Sequence, residues 1–381
     1  MDKAFWRSIT ESEFTVPERY TPSGLLPELM EGLGSTDLEP RDHLCLEILY
    51  SWVVAGHYNP DELRQMTRRL LANLTVGLKD DDGGNDASSR SSDEGEGSGR
   101  DRDRDRDRDR DRDRDRDRDR DRDRSEGERK SESEGKDGDE YGDGDGDGYG
   151  DADGDGDGPG GCGGGTKCRG NSGARDSDGG AVDKADHVFL RTFSALVLSA
   201  VVAYDQQARA LGAEEIREIT DAALAYLAHE QDLRGFVLVK GWAHSVAHTA
   251  DLLARLAEHP GVGVSDLERM LDAISDKVLA PTPYPYVDRE EFRLGKAVVS
   301  ILRRDEVPAD KVVAWLQKLA GPEPRHKAFV PGEDNVRYHN ATALLTALHI
   351  MFTYQELPSS FEEGLLPTVH AALKSFMPWF V

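Results

Sequence analysis

The sequence predicts an all-α protein built from consecutive helical hairpins and interrupted by one long disordered loop. Apolar residues recur at helical spacing through most of the chain, whereas strand signals are nearly absent. Residues 80–184 consist mainly of Ser, Gly, Asp and Arg and cannot bury a core. Hairpins joined by short loops are typical of a helical bundle or of a HEAT-like irregular solenoid, and the length of the helical part favours the solenoid.

The N-terminal part of the domain, residues 1–79, is predicted to hold a helical hairpin. Its first helix, over residues 38–58, is indicated by Leu44, Ile48 and Trp52, which repeat every four residues. The Asn59-Pro60 pair ends that helix and begins a second one, which runs from Asp61 to about residue 77.

The insert, residues 80–184, carries twelve Asp-Arg dipeptides over residues 101–124, followed by an Asp-Gly tract. In the Asp-Arg tract a helix would align like charges at i,i+4, and a strand would place all Asp on one face, so disorder is expected. Residues 80–186 contain 37 acidic and 21 basic side chains, so −16 of the net charge of −26 belongs to this stretch. The rest of the chain is ordinarily acidic. This balance predicts no nucleic-acid partner and no docking on anionic membranes.

The main helical domain, residues 185–381, is predicted to contain eight further helices, separated by Gly and Pro signals such as Gly212 and the Gly321-Pro322 pair. The predicted helices cover residues 185–211, 213–230, 238–258, 265–280, 288–304, 308–319, 336–356 and 360–378. Residues 236–240 are the one plausible extended piece. The apolar window 195–204 is too short to span a bilayer and is predicted to be a buried helix.

A cytoplasmic location is expected, because the N-terminus shows no basic segment followed by an apolar run. The three cysteines, Cys45, Cys162 and Cys168, do not make a disulfide framework and suit a reducing compartment.

The residues that indicate chemistry lie in the predicted helix 238–258. At 100° per residue, His244, His248, Asp251 and Arg255 fall on one face, and small neighbours leave room for a ligand to approach. Two imidazoles at i,i+4 and a carboxylate would supply His244, His248 and Asp251 as ligands to Zn, Fe or Mn. Two alternatives remain open, namely a metal-free pocket for an organic ligand or peptide, and a structural polar layer in which Asp251 pairs with Arg255.

Two further groups of polar residues accompany this face. Asp232, Arg234 and Lys240 occupy the preceding loop, where Arg234 could clamp a carboxylate or phosphate or, alternatively, pair with Asp232 or Glu230. Arg337 and Asn340 open a later helix and would face the first group if the two helices are neighbours. Their alternative role is helix capping and surface solvation.

The segment from Asp232 to Gly235, Asp-Leu-Arg-Gly, followed by residues 240–253, Lys-Gly-Trp-Ala-His-Ser-Val-Ala-His-Thr-Ala-Asp-Leu-Leu, resembles the central signature of the bacterial family called domain of unknown function 2785. Arg337 and Asn340, before a Leu-rich helix, are similar to that family's second motif. The resemblance covers roughly residues 185–356, and we expect the first helical hairpin to be included in it. It implies an all-helical, HEAT-like fold and a soluble bacterial protein, and it implies no activity.

The function that we predict from these residues is that of a cytoplasmic helical-repeat binding module. In it, Trp242 and the two histidines recognise a small anionic ligand or a peptide, together with the polar loop residues. The alternative is a metal-dependent hydrolase that uses His244, His248 and Asp251, with a divalent metal and an open position for water.

Overall fold

The computed structural model describes residues 1–78, 184–321, 332–361 and 364–376. The predicted disordered insert lies outside the described residues, apart from Lys184. The described residues form twelve α-helices and two strands of two residues each, which confirms the all-α prediction. One continuous apolar core joins the helices before the insert to those after it.

Four helices precede the insert, and a π-helical segment, Glu39–Leu46, runs directly into the third of them. They are α1 (Lys3–Glu11), α2 (Pro22–Gly32), α3 (Glu47–Val54) and α4 (Pro60–Asn73). The described helices after it are α5 (His187–Ala208), α6 (Ala213–His229), α7 (Ser245–Glu258), α8 (Val264–Leu279), α9 (Glu290–Arg303), α10 (Ala309–Ala320), α11 (Glu333–Tyr354) and α12 (Leu365–Phe376). The strands β1 (Phe236–Val237) and β2 (Gly241–Trp242) lie between α6 and α7.

The helix starts before the insert follow local capping chemistry. Asn59 and Glu62 form a reciprocal capping box at the start of α4, with Pro60 in its first turn. The periodicity does not predict α1 and α2, and their starts are marked instead by the side chains of Asp2 and Thr21, which accept hydrogen bonds from the first turn.

The helices after the insert pack as two layers of consecutive hairpins. α5, α7, α9 and α11 lie side by side, and α6, α8, α10 and α12 follow one another in the second layer. α3 and α4 pack on α5, so the N-terminal hairpin extends the stack. α7 therefore lies between α5 and α9 and also contacts α6. This is the hairpin arrangement that the sequence predicts, and the closer likeness to HEAT repeats remains a prediction.

The helix α5 is the one described helix that is long and apolar enough to cross a membrane by length and composition alone. In the structure, 72% of its apolar window is buried inside the fold. This helix therefore packs against α3, α4 and α7, as expected for the core helix of a folded domain.

Candidate functional site

A short β-hairpin occupies the place where the sequence predicts the first turns of α7. Its strands are antiparallel, with Phe236 opposite Trp242. The turn uses left-handed backbone at Val239, with a φ of 72°, and at Gly241, with a φ of 79°. A Cβ on Gly241 would lie 2.4 Å from a methyl carbon of Leu38, so this contact requires glycine. The predicted helix start at residue 238 is therefore wrong, and α7 begins at Ser245.

The predicted polar face of this helix is also corrected. His244 precedes the helix in a left-handed conformation, with a φ of 48°, and His248 is buried. The carboxylate of Asp251 pairs with Arg293 at 2.6 Å, whereas Arg255 pairs elsewhere. The small neighbours that were expected to line an open groove are instead buried against other helices. These neighbours are Ser245, Ala247 and Thr249.

The ring of His248 is part of the core. Its Nδ1 lies 3.0 Å from the hydroxyl oxygen of Thr192, and the ring packs edge-on against Phe193 at 5.2 Å. Burial, followed by the nearby charge of His244, holds the pKa of His248 well below its ordinary value. His248 is therefore a neutral imidazole with a structural hydrogen bond to α5.

The ring of His244 lies at the edge of the surface. It stacks on Trp242, with ring centroids 4.3 Å apart, and its Nε2 donates a hydrogen bond to the backbone oxygen of Asp288 at 2.9 Å. Burial lowers the pKa of His244 despite the acceptor at Asp288. The rings of His244 and His248 are 5.6 Å apart and nearly perpendicular.

The polar residues of the preceding loop are engaged in ion pairs. Arg234 holds Asp232 with two hydrogen bonds of 2.8 and 2.6 Å, and its pKa is raised mainly by that partner. Lys240 donates to both oxygens of Asp186, at 2.7 and 2.9 Å. These charges fix the hairpin to the residues before α5, so they are not open to an incoming anion.

The second motif meets the first through residues 281–289. Asn340 is fully buried; its side chain accepts from the backbone nitrogen of Tyr286 at 2.8 Å and donates to the oxygen of Tyr284 at 3.3 Å. His339 contacts the oxygen of Tyr286 at 3.1 Å. Arg337 lies half-buried on the same helix, with its guanidinium 5.2 Å from the ring of Tyr338. Asn340 thus positions the segment that ends beneath the hairpin.

Arg41 is a site residue that the sequence reasoning missed. Its fully buried guanidinium lies over the rings of Phe189 and Phe193, at 4.3 and 4.8 Å, and donates to the backbone oxygen of Lys240 at 2.7 Å. The π-helical segment before α3 therefore supports the hairpin from below. No local signal marks Arg41, because its partners at the hairpin, Phe189, Phe193 and Lys240, lie far from it along the chain.

Gly235 and Asp288 form a second connection that the sequence did not reveal. The Asp288 carboxylate accepts from the backbone nitrogen of Phe236 at 3.1 Å. A Cβ on Gly235 would lie 1.8 Å from Asp288 Oδ2, so only glycine permits this approach. The glycine within the Asp-Leu-Arg-Gly motif was the one available signal.

The hairpin presents apolar side chains to solvent. Leu238 and Val239 at its tip are 82% and 87% exposed. Phe236 and Trp242 contact each other edge-to-face at 5.0 Å and remain partly exposed. We call the five exposed side chains here the hairpin surface. They are Phe236, Leu238, Val239, Trp242 and, from the adjoining segment, Val287.

Clefts of 370 to 410 Å³ on the described surface lie away from the hairpin. One is lined by Phe352 and Phe361, one by Leu271 and Trp315, and one by Leu224. None of these clefts is lined by a predicted site residue, so the hairpin surface is not the wall of any of them.

Three side chains beneath the hairpin could hold a metal ion. His244, Asp288 and Glu290 each offer a ligand atom, and these atoms lie within 4.8 Å of one another. Burial raises the pKa of Glu290, and hydrogen bonds from backbone nitrogens oppose that rise only in part. This set of described residues has only His244 in common with the predicted ligand set. Asp288 and Glu290 replace the predicted ligands His248 and Asp251.

The comparison with family models matches residues 181–350 to the family described as protein of unknown function (DUF2785). This confirms the resemblance drawn from the two motifs, and the match contains both of them. No curated protein matches the chain. No solved structure matches it either.

Proposed function

We propose that this chain, whose residues 181–350 match the model of the DUF2785 family of proteins of unknown function, is an interaction module that binds an apolar, carboxylate-bearing peptide on the hairpin surface. The observation that carries the proposal is the exposure of Leu238 and Val239 at the hairpin tip, beside the Phe236–Trp242 pair. Apolar side chains that cluster on a surface mark interaction sites, whereas singly scattered ones do not.

The hairpin is held in place before any partner arrives. The side chain of Lys240 pairs with Asp186, and the backbone oxygen of Lys240 accepts a hydrogen bond from Arg41. The backbone nitrogen of Phe236 donates a hydrogen bond to the Asp288 carboxylate. A surface that is already ordered loses little conformational entropy on binding. Polar anchors underneath and apolar side chains above are the arrangement expected of a preformed docking surface.

The charge next to this surface favours a partner with a carboxylate. Arg289 is exposed and directly follows Asp288, and within the described residues its guanidinium makes no hydrogen bond or ion pair. Its guanidinium can accept a carboxylate in a bidentate pair. In this proposal Arg289 takes the anion-binding role that the sequence analysis gave to Arg234 and to Trp242 with the two histidines.

A binding role also suits the geometry better than the hydrolase alternative. That alternative needs His244, His248 and Asp251 to converge on one metal. Here His248 is hydrogen-bonded to Thr192, and Asp251 is paired with Arg293. These interactions occupy two of the three proposed ligands.

Selection from a displayed random-peptide library on the full chain, followed by affinity measurement by fluorescence anisotropy, tests the proposal. We expect the selected peptides to combine apolar residues with Asp or Glu. The Leu238→Ser/Val239→Ser variant should bind them at least tenfold more weakly, and Arg289→Ala should weaken binding and reduce its salt dependence.

Tyr354→Ser is the matched control, because Tyr354 is 83% exposed but lies at the far end of α11 from Asn340. This control should bind as the wild type does. Equal affinity of the wild type and the Leu238→Ser/Val239→Ser variant would show that peptides bind elsewhere or not specifically.

A further inference from the structure

Two glutamates of this chain are equally buried but differently compensated. Glu230 and Glu290 are each 3% exposed. Glu230 receives two hydrogen bonds from Arg191, at 2.6 and 2.9 Å. Glu290 has no Lys or Arg partner among the described residues, and its charged-group neighbour is His244, whose Nε2 lies 3.9 Å from Glu290 Oε1. A buried carboxylate without a cation is costly, so this difference requires an explanation.

The compensation that Glu290 does have is partial. Its Oε2 accepts from the backbone nitrogen of Asp288 at 2.8 Å, and it occupies the first turn of α9, where the helix dipole favours a negative charge. A second carboxylate, that of Asp288, lies at the same end of α9 as that of Glu290. Arg293, the nearby cation on α9, is paired with Asp251 on α7.

We propose that His244, Asp288 and Glu290 form a binding site for a divalent transition-metal ion such as Mn²⁺ or Zn²⁺. Their ligand atoms lie within 4.8 Å of one another and come from three places: the residue before α7, the end of the 281–289 segment and the first turn of α9. One imidazole nitrogen and two carboxylate oxygens suit these ions. The ion provides the positive charge that no Lys or Arg of the described residues provides to Glu290.

The existing hydrogen bonds leave room for this coordination. Asp288 uses Oδ2 for the nitrogen of Phe236, so its Oδ1 is available, and Glu290 uses Oε2 for the nitrogen of Asp288. On metal binding, His244 Nε2 gives up its proton and exchanges the backbone oxygen of Asp288 for the ion. The ion then links α9 to the base of the hairpin. The proposal stands whether or not a peptide binds the hairpin surface.

The test uses the full chain, purified without an affinity tag, stripped with a chelator and titrated with Mn²⁺, Zn²⁺ and Co²⁺. We expect one ion to bind tightly and to raise the melting temperature. Bound Co²⁺ should show the visible absorption bands of a site with a nitrogen ligand. Glu290→Gln and Asp288→Asn, which keep an oxygen acceptor, should each weaken binding at least tenfold and abolish the rise in melting temperature.

Glu218→Gln, on an exposed carboxylate of α6, is the matched control and should bind as the wild type does. The Asp-rich residues 80–183 are present in all these proteins, so their weak attraction for cations cancels in the comparison. If the wild type binds no ion, or if Glu290→Gln and Asp288→Asn bind it as tightly as the wild type, the proposed site is wrong.

Discussion

The hairpin before α7 and α7 itself are adjacent in the sequence, yet their surroundings are opposite. On α7, eleven of fourteen residues are buried, including His248 and Thr249. On the hairpin, Leu238 and Val239 project into solvent, and the polar anchors lie underneath. One motif thus contains a part that holds the fold together and a part whose apolar side chains are exposed to solvent. Substitutions in the two parts should therefore affect different properties, stability in the first and binding in the second.

The largest expected effect lies on the buried side, where Glu230 joins α6 to α5. Glu230→Ala leaves Arg191 buried without its carboxylate, so the free energy of unfolding should fall by about 3–5 kcal/mol. Urea unfolding measures this loss. Glu214→Ala breaks an exposed pair with Arg217 on the same helix and should cost no more than about 1 kcal/mol. Similar losses in the two variants would mean that Arg191 finds another partner.

The next effect lies at the junction between the two parts. Gly235→Ala places a Cβ against the Asp288 carboxylate, so we expect the free energy of unfolding to fall by about 1–3 kcal/mol. Gly263→Ala is the matched control, because a Cβ there meets nothing within 4 Å. The control should cost no more than about 0.5–1 kcal/mol, because its new Cβ makes no clash and the only loss is that alanine is less favoured than glycine at the N-cap of α8. Equal stability of both variants would contradict the close approach of Asp288 to Gly235.

The smallest effect concerns the other end of α7, where His259 is buried against Asp205, with Nε2 to Oδ2 at 3.2 Å. Burial lowers the pKa of His259 below its ordinary value. Below pH 6.5 the unfolded chain therefore takes up a proton that the folded chain does not, and stability falls as the pH falls. The loss from this residue is at most about 1.4 kcal/mol per pH unit.

Urea unfolding between pH 7 and pH 5.5 measures that slope. His259→Gln cannot be protonated in this range, so its unfolding free energy should depend less steeply on pH than that of the wild type. Parallel pH profiles of the two proteins would show that His259 does not contribute to acid destabilisation.

The helices after the insert could be predicted from sequence because apolar periodicity is a local property. The start of α7 could not, because periodicity does not reveal that Gly241 packs against Leu38 or that His244 adopts a left-handed backbone. His244 and His248 have helical spacing, but only the first is near the surface.

The composition of the candidate site was less predictable than the helices. Arg41 comes from one distant part of the chain and Asp288 and Glu290 from another, and no spacing rule connects either part to the hairpin and His244. What the sequence did indicate was the segment, since the Asp-Leu-Arg-Gly motif and the His244-to-Asp251 stretch flank the hairpin. The roles of the individual residues depend on tertiary contacts that a pattern along one segment does not contain.

The chain before the insert is tied directly to the chain after it. Arg191 of α5 donates to the backbone oxygen of Val76 at 2.8 Å, and Arg64 of α4 donates to that of Ala210 at 2.8 Å. Peptide-bond continuity across residues 80–183 is therefore not what keeps these helices together. A chain cut within that stretch should behave as two complementing fragments, each supplying surface that the other needs in order to fold.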